Sequence, residues 1–99
     1  MSNSSIGNDL ITYKNMSNAK FLEDIDPQTL STRAMTSVDE SVPAGGELQV
    51  IRQACRELSE QFSDHLVKHD GREFRTEQHK DSSGQTTTNI YFRAELHSK

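Results

Sequence analysis

One part of the chain carries its apolar residues at a helical period. Between residues 47 and 66, apolar side chains recur at steps of three and four, so at about 100° per residue they form a single stripe. The stripe comprises Leu48, Ile51, Cys55, Leu58, Phe62 and Leu66. Gly71 suits the left-handed conformation that often ends a helix. The pattern predicts one long amphipathic helix from about Gly46 to His69.

The next part of the chain changes to a period of two, which is typical of a half-buried strand. Over residues 88–96, apolar and polar side chains alternate. One predicted face carries Ile90, Phe92, Ala94 and Leu96, and the other carries Asn89, Arg93 and Glu95. Tyr91 falls on the polar face. These residues therefore predict a strand with one buried face.

A turn signal stands between this strand and the run 72–79. Asp81 suits the first position of a type I turn, and Gly84 suits a left-handed position three residues later. This spacing predicts a three-residue hairpin loop with a bulge. The resulting register places Phe74 beside Phe92 and Thr76 beside Ile90, on the same face of the hairpin.

The first forty-five residues are polar and weakly patterned. A short strand is predicted over 10–14, a short helix over 18–25 capped by Ser17, and a second helix that begins at Asp26-Pro27 and runs to about Ala34. Residues 36–46 read as a linker. The sequence therefore predicts an α+β fold: residues 1–45 form a flexible arm, and residues 46–97 form an α-β-β core of one long helix and one hairpin.

Size and composition constrain this picture. The chain has 99 residues, 31% of them apolar, and a formal net charge of −4. A core of about fifty residues is marginal by itself, which favours a homodimer. Val50, Val67 and Tyr91 lie off the predicted apolar faces, so we expect them to be exposed for a second contact. Because Cys55 is the only cysteine and no apolar leader is visible, we expect a soluble, cytoplasmic protein.

No pattern of residues predicts catalysis, a metal or a cofactor. His65 and His69 are four apart, a helical spacing that can offer two imidazoles to one ion. The glutamate that accompanies such a pair in zinc proteases is missing, so we assign no metal site. Cys55 lies in the middle of the apolar stripe and is expected to be a structural, buried thiol. We therefore expect a protein that is not an enzyme.

Two functions remain open. A small acidic chain with apolar anchors in a flexible arm is typical of a non-enzymatic regulator or inhibitor that acts through protein–protein interaction. The candidate partner-binding residues are Phe21, Leu22, Ile25, Leu30, Val50, Val67 and Tyr91. The alternative is a nucleic-acid-binding module of winged-helix-like layout, with the long helix in the major groove. Acidic residues on that helix disfavour phosphate binding, so nucleic acid is the second choice.

Overall fold

The computed structural model describes residues 18–98. Among these residues the elements are β1 (Lys20–Phe21), β2 (Ser31–Val38), α1 (Glu47–Gln61), β3 (His65–Lys80) and β4 (Thr86–Ser98). The four strands form one sheet in the order β1-β2-β4-β3, and every neighbouring pair is antiparallel. Strands β2 and β3 therefore run parallel with β4 between them, and α1 makes the crossover that this arrangement requires.

Helix α1 packs across one face of the sheet and closes the hydrophobic core. Its buried side chains are Val50, Ile51, Ala54, Cys55 and Leu58. They join one cluster with side chains of β2, β3 and β4, which are Ala34, Val38, Val67, Ile90, Phe92, Ala94 and Leu96. Ala19 and Val42, from outside these elements, complete the cluster. The core thus draws on residues far apart in the chain.

The prediction of one long helix followed by a hairpin is wrong, although the α+β class is compatible with the structure. Helix α1 ends at Gln61, where the backbone N–H of Phe62 donates the last helical hydrogen bond to the carbonyl of Leu58 at 2.9 Å. A turn at Ser63-Asp64 follows, and the chain enters β3 at His65. The spacing of Leu66 would allow the helix to continue. Residues 65–69 form a strand instead, because the strand pairs with β4 and buries Val67 in the core.

The two short helices predicted before residue 35 are also wrong. Residues 20–21 form β1, and the chain reverses through a tight turn that leads into β2. Asp26 does act as a cap, since its side chain accepts a hydrogen bond from the N–H of Gln28 at 2.8 Å. No helix follows the cap in the described structure. The N–H of Leu30 instead donates to the carbonyl of Asp26 at 2.7 Å, and Leu30 adopts a φ of +55°, so the segment ends as a turn. The strand predicted over 10–14 lies outside the described residues.

The hairpin of β3 and β4 was predicted well. Its register, with Phe74 opposite Phe92 and Thr76 opposite Ile90, is confirmed. The loop is confirmed too: Gly84 has a φ of +91°, and the side chain of Asp81 accepts hydrogen bonds from residues 83 and 85. These bonds, first that from the Ser83 hydroxyl, lower the pKa of the Asp81 carboxyl.

One feature of β3 was not predicted, namely an irregularity between His69 and Phe74. Such a bulge bends the strand that carries it. Phe74 lies directly beyond the irregularity and is 38% exposed, although its partner Phe92 on the same face is buried.

Candidate functional site: the open face of the sheet

The described residues cover the sheet on one side only. Helix α1 lies on one face, and the opposite face, which we call the open face, carries the alternate side chains of the strands. These are Lys20 from β1, Arg33, Met35 and Ser37 from β2, Thr87, Asn89, Tyr91, Arg93, Glu95 and His97 from β4, and Leu66, Lys68, Arg75, Glu77 and His79 from β3. Each of them is half-buried or exposed. A sheet face of this kind presents a flat, well-ordered set of side chains to solvent.

Arginines from three strands meet near the centre of the open face. Arg33 and Arg93 are direct partners across β2 and β4, which places their Cβ atoms about 5 Å apart. Arg75 is the partner of Tyr91 across β3 and β4, and its guanidinium carbon lies 4.5 Å from the centre of the tyrosine ring. This distance is typical of a cation–π contact.

Carboxylates hold two of the three arginines. The Nε of Arg33 donates to Glu23 at 3.3 Å, and the Nη1 of Arg75 donates to Glu77 at 2.8 Å. For Arg93, no ion pair is found with the described residues. The centre of the open face therefore has a positively charged side chain whose hydrogen-bonding fork points to solvent.

A shallow groove crosses this region. Leu22, Glu73 and Phe74 border it, and the three arginines and Tyr91 form much of its lining. The volume of the groove is about 630 Å³, within the range of sites that bind a small molecule or part of a peptide. Because the groove is open to solvent, it suits an extended ligand better than an enclosed one.

The predicted partner-binding residues are split among different environments. Leu22 and Tyr91 meet at the groove. Phe21 and Ile25 instead pack against the core, where the Phe21 ring lies 4.8 Å from that of Phe62, edge to face. Leu30 is exposed in the turn before β2. Of the predicted anchors, the structure thus places Leu22 and Tyr91 at the groove of the open face.

The expectation that Val50 and Val67 are exposed is wrong. Val50 is 0% exposed and Val67 is 3% exposed, so both belong to the core. Val50 is buried because α1 is rotated slightly relative to the predicted stripe: its buried side keeps Ile51, Cys55 and Leu58 and adds Val50 and Ala54. Val67 is buried because it belongs to a strand, in which it faces α1.

The two histidines considered as a metal pair lie on a strand. His65 and His69 both belong to β3, where a rise of about 3.3 Å per residue separates positions four apart by about 13 Å. One ion cannot bridge that distance, so the helical spacing was misleading. Within residues 18–98, no cluster of three or more histidine, cysteine, aspartate or glutamate side chains could hold a metal.

Cys55 is buried, as its place in the apolar stripe predicted. It is 4% exposed, and burial raises the pKa of its thiol to about 12. A thiol of this kind stays protonated at neutral pH, whereas a nucleophilic cysteine needs a lowered pKa and access to solvent. Cys55 therefore serves as a small apolar side chain of the core.

This burial predicts a loss of stability in alkali. The folded pKa lies above the unfolded value of about 9, so the stabilisation is complete below pH 9 and is lost as the pH rises toward 12. At pH 10.5 the free energy of unfolding should be about 2 kcal/mol lower than at pH 8, measured by urea denaturation. Cys55→Ala is the control, because all other titrating groups remain. An equal decrease in both proteins would contradict this account.

The arginines of the open face were only partly visible in the sequence. Alternation along residues 88–96 already assigned Arg93 to the solvent side. Residues 31–38 were not predicted to form a strand. The pairing of Arg33 with Arg93 also joins positions sixty residues apart, which local patterns do not predict. A period of two is present there, since Arg33, Met35 and Ser37 alternate with Ala34, Thr36 and Val38. That pattern was the available signal.

Comparisons with protein-family models, with curated proteins and with solved structures find no match to this chain. In the described part of the chain, no helix combines the length and the apolar character needed to cross a bilayer. The function must therefore be inferred from the geometry alone.

Proposed function

We propose that this chain is a small non-enzymatic regulatory or inhibitory protein that acts by binding a partner protein across the open face of its sheet. The observation that carries the proposal is the difference between the two faces of the sheet. One face is packed against α1, whereas the open face holds Met35, Tyr91 and three arginines at the surface. Tyrosine, methionine and arginine are the residue types enriched in protein interfaces.

The chemistry of the described residues supports binding rather than catalysis. The single thiol is buried with a raised pKa, and it therefore makes a poor nucleophile. The carboxylate–histidine contacts, between His79 and Glu77 and between His97 and Glu95, are exposed on the strands. The groove is shallow and open, whereas catalytic sites exclude water.

The winged-helix layout finds no support in residues 18–98. That layout needs two further helices before the long one, but β1 and β2 occupy those positions. Helix α1 also buries its apolar stripe against the sheet and carries Glu57 and Glu60 beside Arg56 on its remaining surface. Binding of nucleic acid is therefore not proposed, and the experiments below would detect it.

The homodimer stays a separate prediction with a weaker basis. It was inferred from a core of about fifty residues, which would be marginal alone. The described core instead includes Ala19, Ala34, Val38 and Val42, so a second chain is not needed to complete it. A cytoplasmic location remains part of the proposal, because a single buried thiol needs no oxidising compartment.

The proposal predicts that truncation of the open face abolishes capture of a partner. Met35→Ala/Tyr91→Ala in the full chain should reduce the captured partner at least tenfold, since central interface side chains often contribute more than about 1 kcal/mol each. The measurement is quantitative mass spectrometry after affinity capture from a nuclease-treated lysate, followed by titration with the purified partner.

The matched control is Arg52→Ala/Arg56→Ala, two exposed positions on α1, which packs on the opposite face of the sheet. This variant should capture the partner as the natural chain does. Equal capture by the open-face variant, with its fold intact by circular dichroism, would refute the proposed surface. Capture that disappears on nuclease treatment would instead indicate nucleic acid.

A further inference from the structure

The facing arginines on the open face are unfavourable for folding itself. Like charges directly opposite each other on an antiparallel pair destabilise it, and Arg33 and Arg93 are such a pair. Glu23 compensates Arg33 at 3.3 Å, whereas Arg93 has no ion pair among the described residues. A negatively charged group placed between the two guanidinium groups would relieve this repulsion.

The side chain of Arg75, the third arginine, is held in position by two contacts. Its guanidinium lies 4.5 Å from the centre of the Tyr91 ring and is fixed at the other side by Glu77 at 2.8 Å. A side chain that is already ordered loses less conformational entropy when it binds a ligand. Tyr91, on which Arg75 stacks, is two residues from Arg93 on β4. About 7 Å of strand therefore separates the two residues.

The extent of the positive region indicates the size of the anionic ligand. On the same face, Glu77 stands two residues beyond Arg75 on β3, and Glu95 stands two residues beyond Arg93 on β4. Lys68, opposite Glu95, and Lys20 of β1 lie on this face too, so basic and acidic residues alternate across it. A phosphodiester chain needs a continuous basic track, whereas one or two carboxylates need only the three arginines at the centre.

We propose that Arg33, Arg93 and Arg75, the last of them stacked on the ring of Tyr91, form a recognition site for the carboxylates of an acidic segment of a partner protein. The planar fork of arginine matches a carboxylate with two parallel hydrogen bonds. Such a site deepens, and rests on, the function proposed above, because it names the chemistry by which the open face selects its partner.

The test is a titration of the full chain with a fluorescein-labelled hexaglutamate peptide, followed by fluorescence anisotropy at 50 mM NaCl. Arg93→Gln should weaken binding at least tenfold, which corresponds to the loss of one charge-assisted hydrogen bond. Arg52→Gln, which removes the same charge at an exposed position of α1, should change the affinity less than twofold. A hexaglutamine peptide should not bind.

Thermal melting distinguishes the loss of a binding contact in Arg93→Gln from unfolding of this variant. Because Arg93→Gln removes a like-charge pair, its Tm should be about 1–4 °C higher than that of the natural chain. A lower Tm would contradict the repulsion between Arg33 and Arg93 and would overturn the proposal. Equal losses of affinity in the two variants would also overturn it, since binding would then follow net charge alone.

A fluorescein-labelled oligothymidine of twelve nucleotides is titrated in parallel. If it binds more tightly than hexaglutamate and is equally sensitive to Arg93→Gln, the ligand is a nucleic acid strand and the carboxylate site is refuted. If hexaglutamate does not bind the natural chain, the site is refuted while the protein-binding function stands, because capture of a partner by the natural chain is measured separately and requires no acidic peptide.

Discussion

Replacement of Leu58 by alanine is expected to lower the free energy of unfolding by about 2–5 kcal/mol. Leu58 is 0% exposed and lies in the centre of the core between α1 and the sheet. The substitution removes buried apolar surface and leaves a cavity that the neighbouring side chains fill only in part. Because a domain of this size has a total stability of about 5–15 kcal/mol, urea denaturation at neutral pH should show a large decrease in the midpoint.

Leu66→Ala is the matched control for this experiment. The sequence placed both leucines in the same helical stripe, but the structure leaves Leu66 42% exposed on β3. The control should therefore cost less than about 1 kcal/mol. Equal losses in the two variants would show that α1 continues past Gln61 and that the original stripe is correct.

Replacement of Val50 by aspartate is expected to cost more than about 3 kcal/mol, because it buries a carboxylate with no charged partner. Val50 is 0% exposed on the sheet side of α1, where it packs in the hydrophobic cluster. The variant should be largely unfolded at 37 °C. Far-ultraviolet circular dichroism and urea denaturation at 10 °C measure the effect.

Arg52→Asp controls for the introduction of an acidic residue into the same helix. Arg52 is exposed in the second turn of α1, where an acidic side chain remains in contact with solvent. Its unfolding free energy should stay within about 0.5 kcal/mol of the natural value. If Val50→Asp were as stable as this control, the rotation of α1 described above would be wrong.

Patterns with short range in the sequence were predictive. The alternation along β4 assigned its two faces correctly, and the spacing of Asp81 and Gly84 gave the loop and the register of the hairpin. These features depend on side chains that are neighbours in the chain, so local turn chemistry and periodicity suffice. The start of α1 was also placed correctly, at Glu47 after the turn that ends in Gly46.

The candidate site could not be predicted in the same way. Leu22 and Tyr91 were identified as candidate contacts, but the arginines that surround them were not. Arg33 lies in a segment where short helices were expected, since Asp26-Pro27 is a favourable helix start. Only the pairing of β2 with β4 turns that segment into a central strand and sets Arg33 opposite Arg93.

The sequence by itself determined the amphipathic character of residues 47–61, the two faces of β4 and the hairpin that joins it to β3. Tertiary structure alone decided where the helix ends, that its buried side extends to Val50 and Ala54, and that residues 20–38 complete the sheet. The physical reason is that apolar spacing near residues 62–69 fits a helix and a strand almost equally well. Burial of Val67 against α1 and pairing with a strand thirty residues away select the strand.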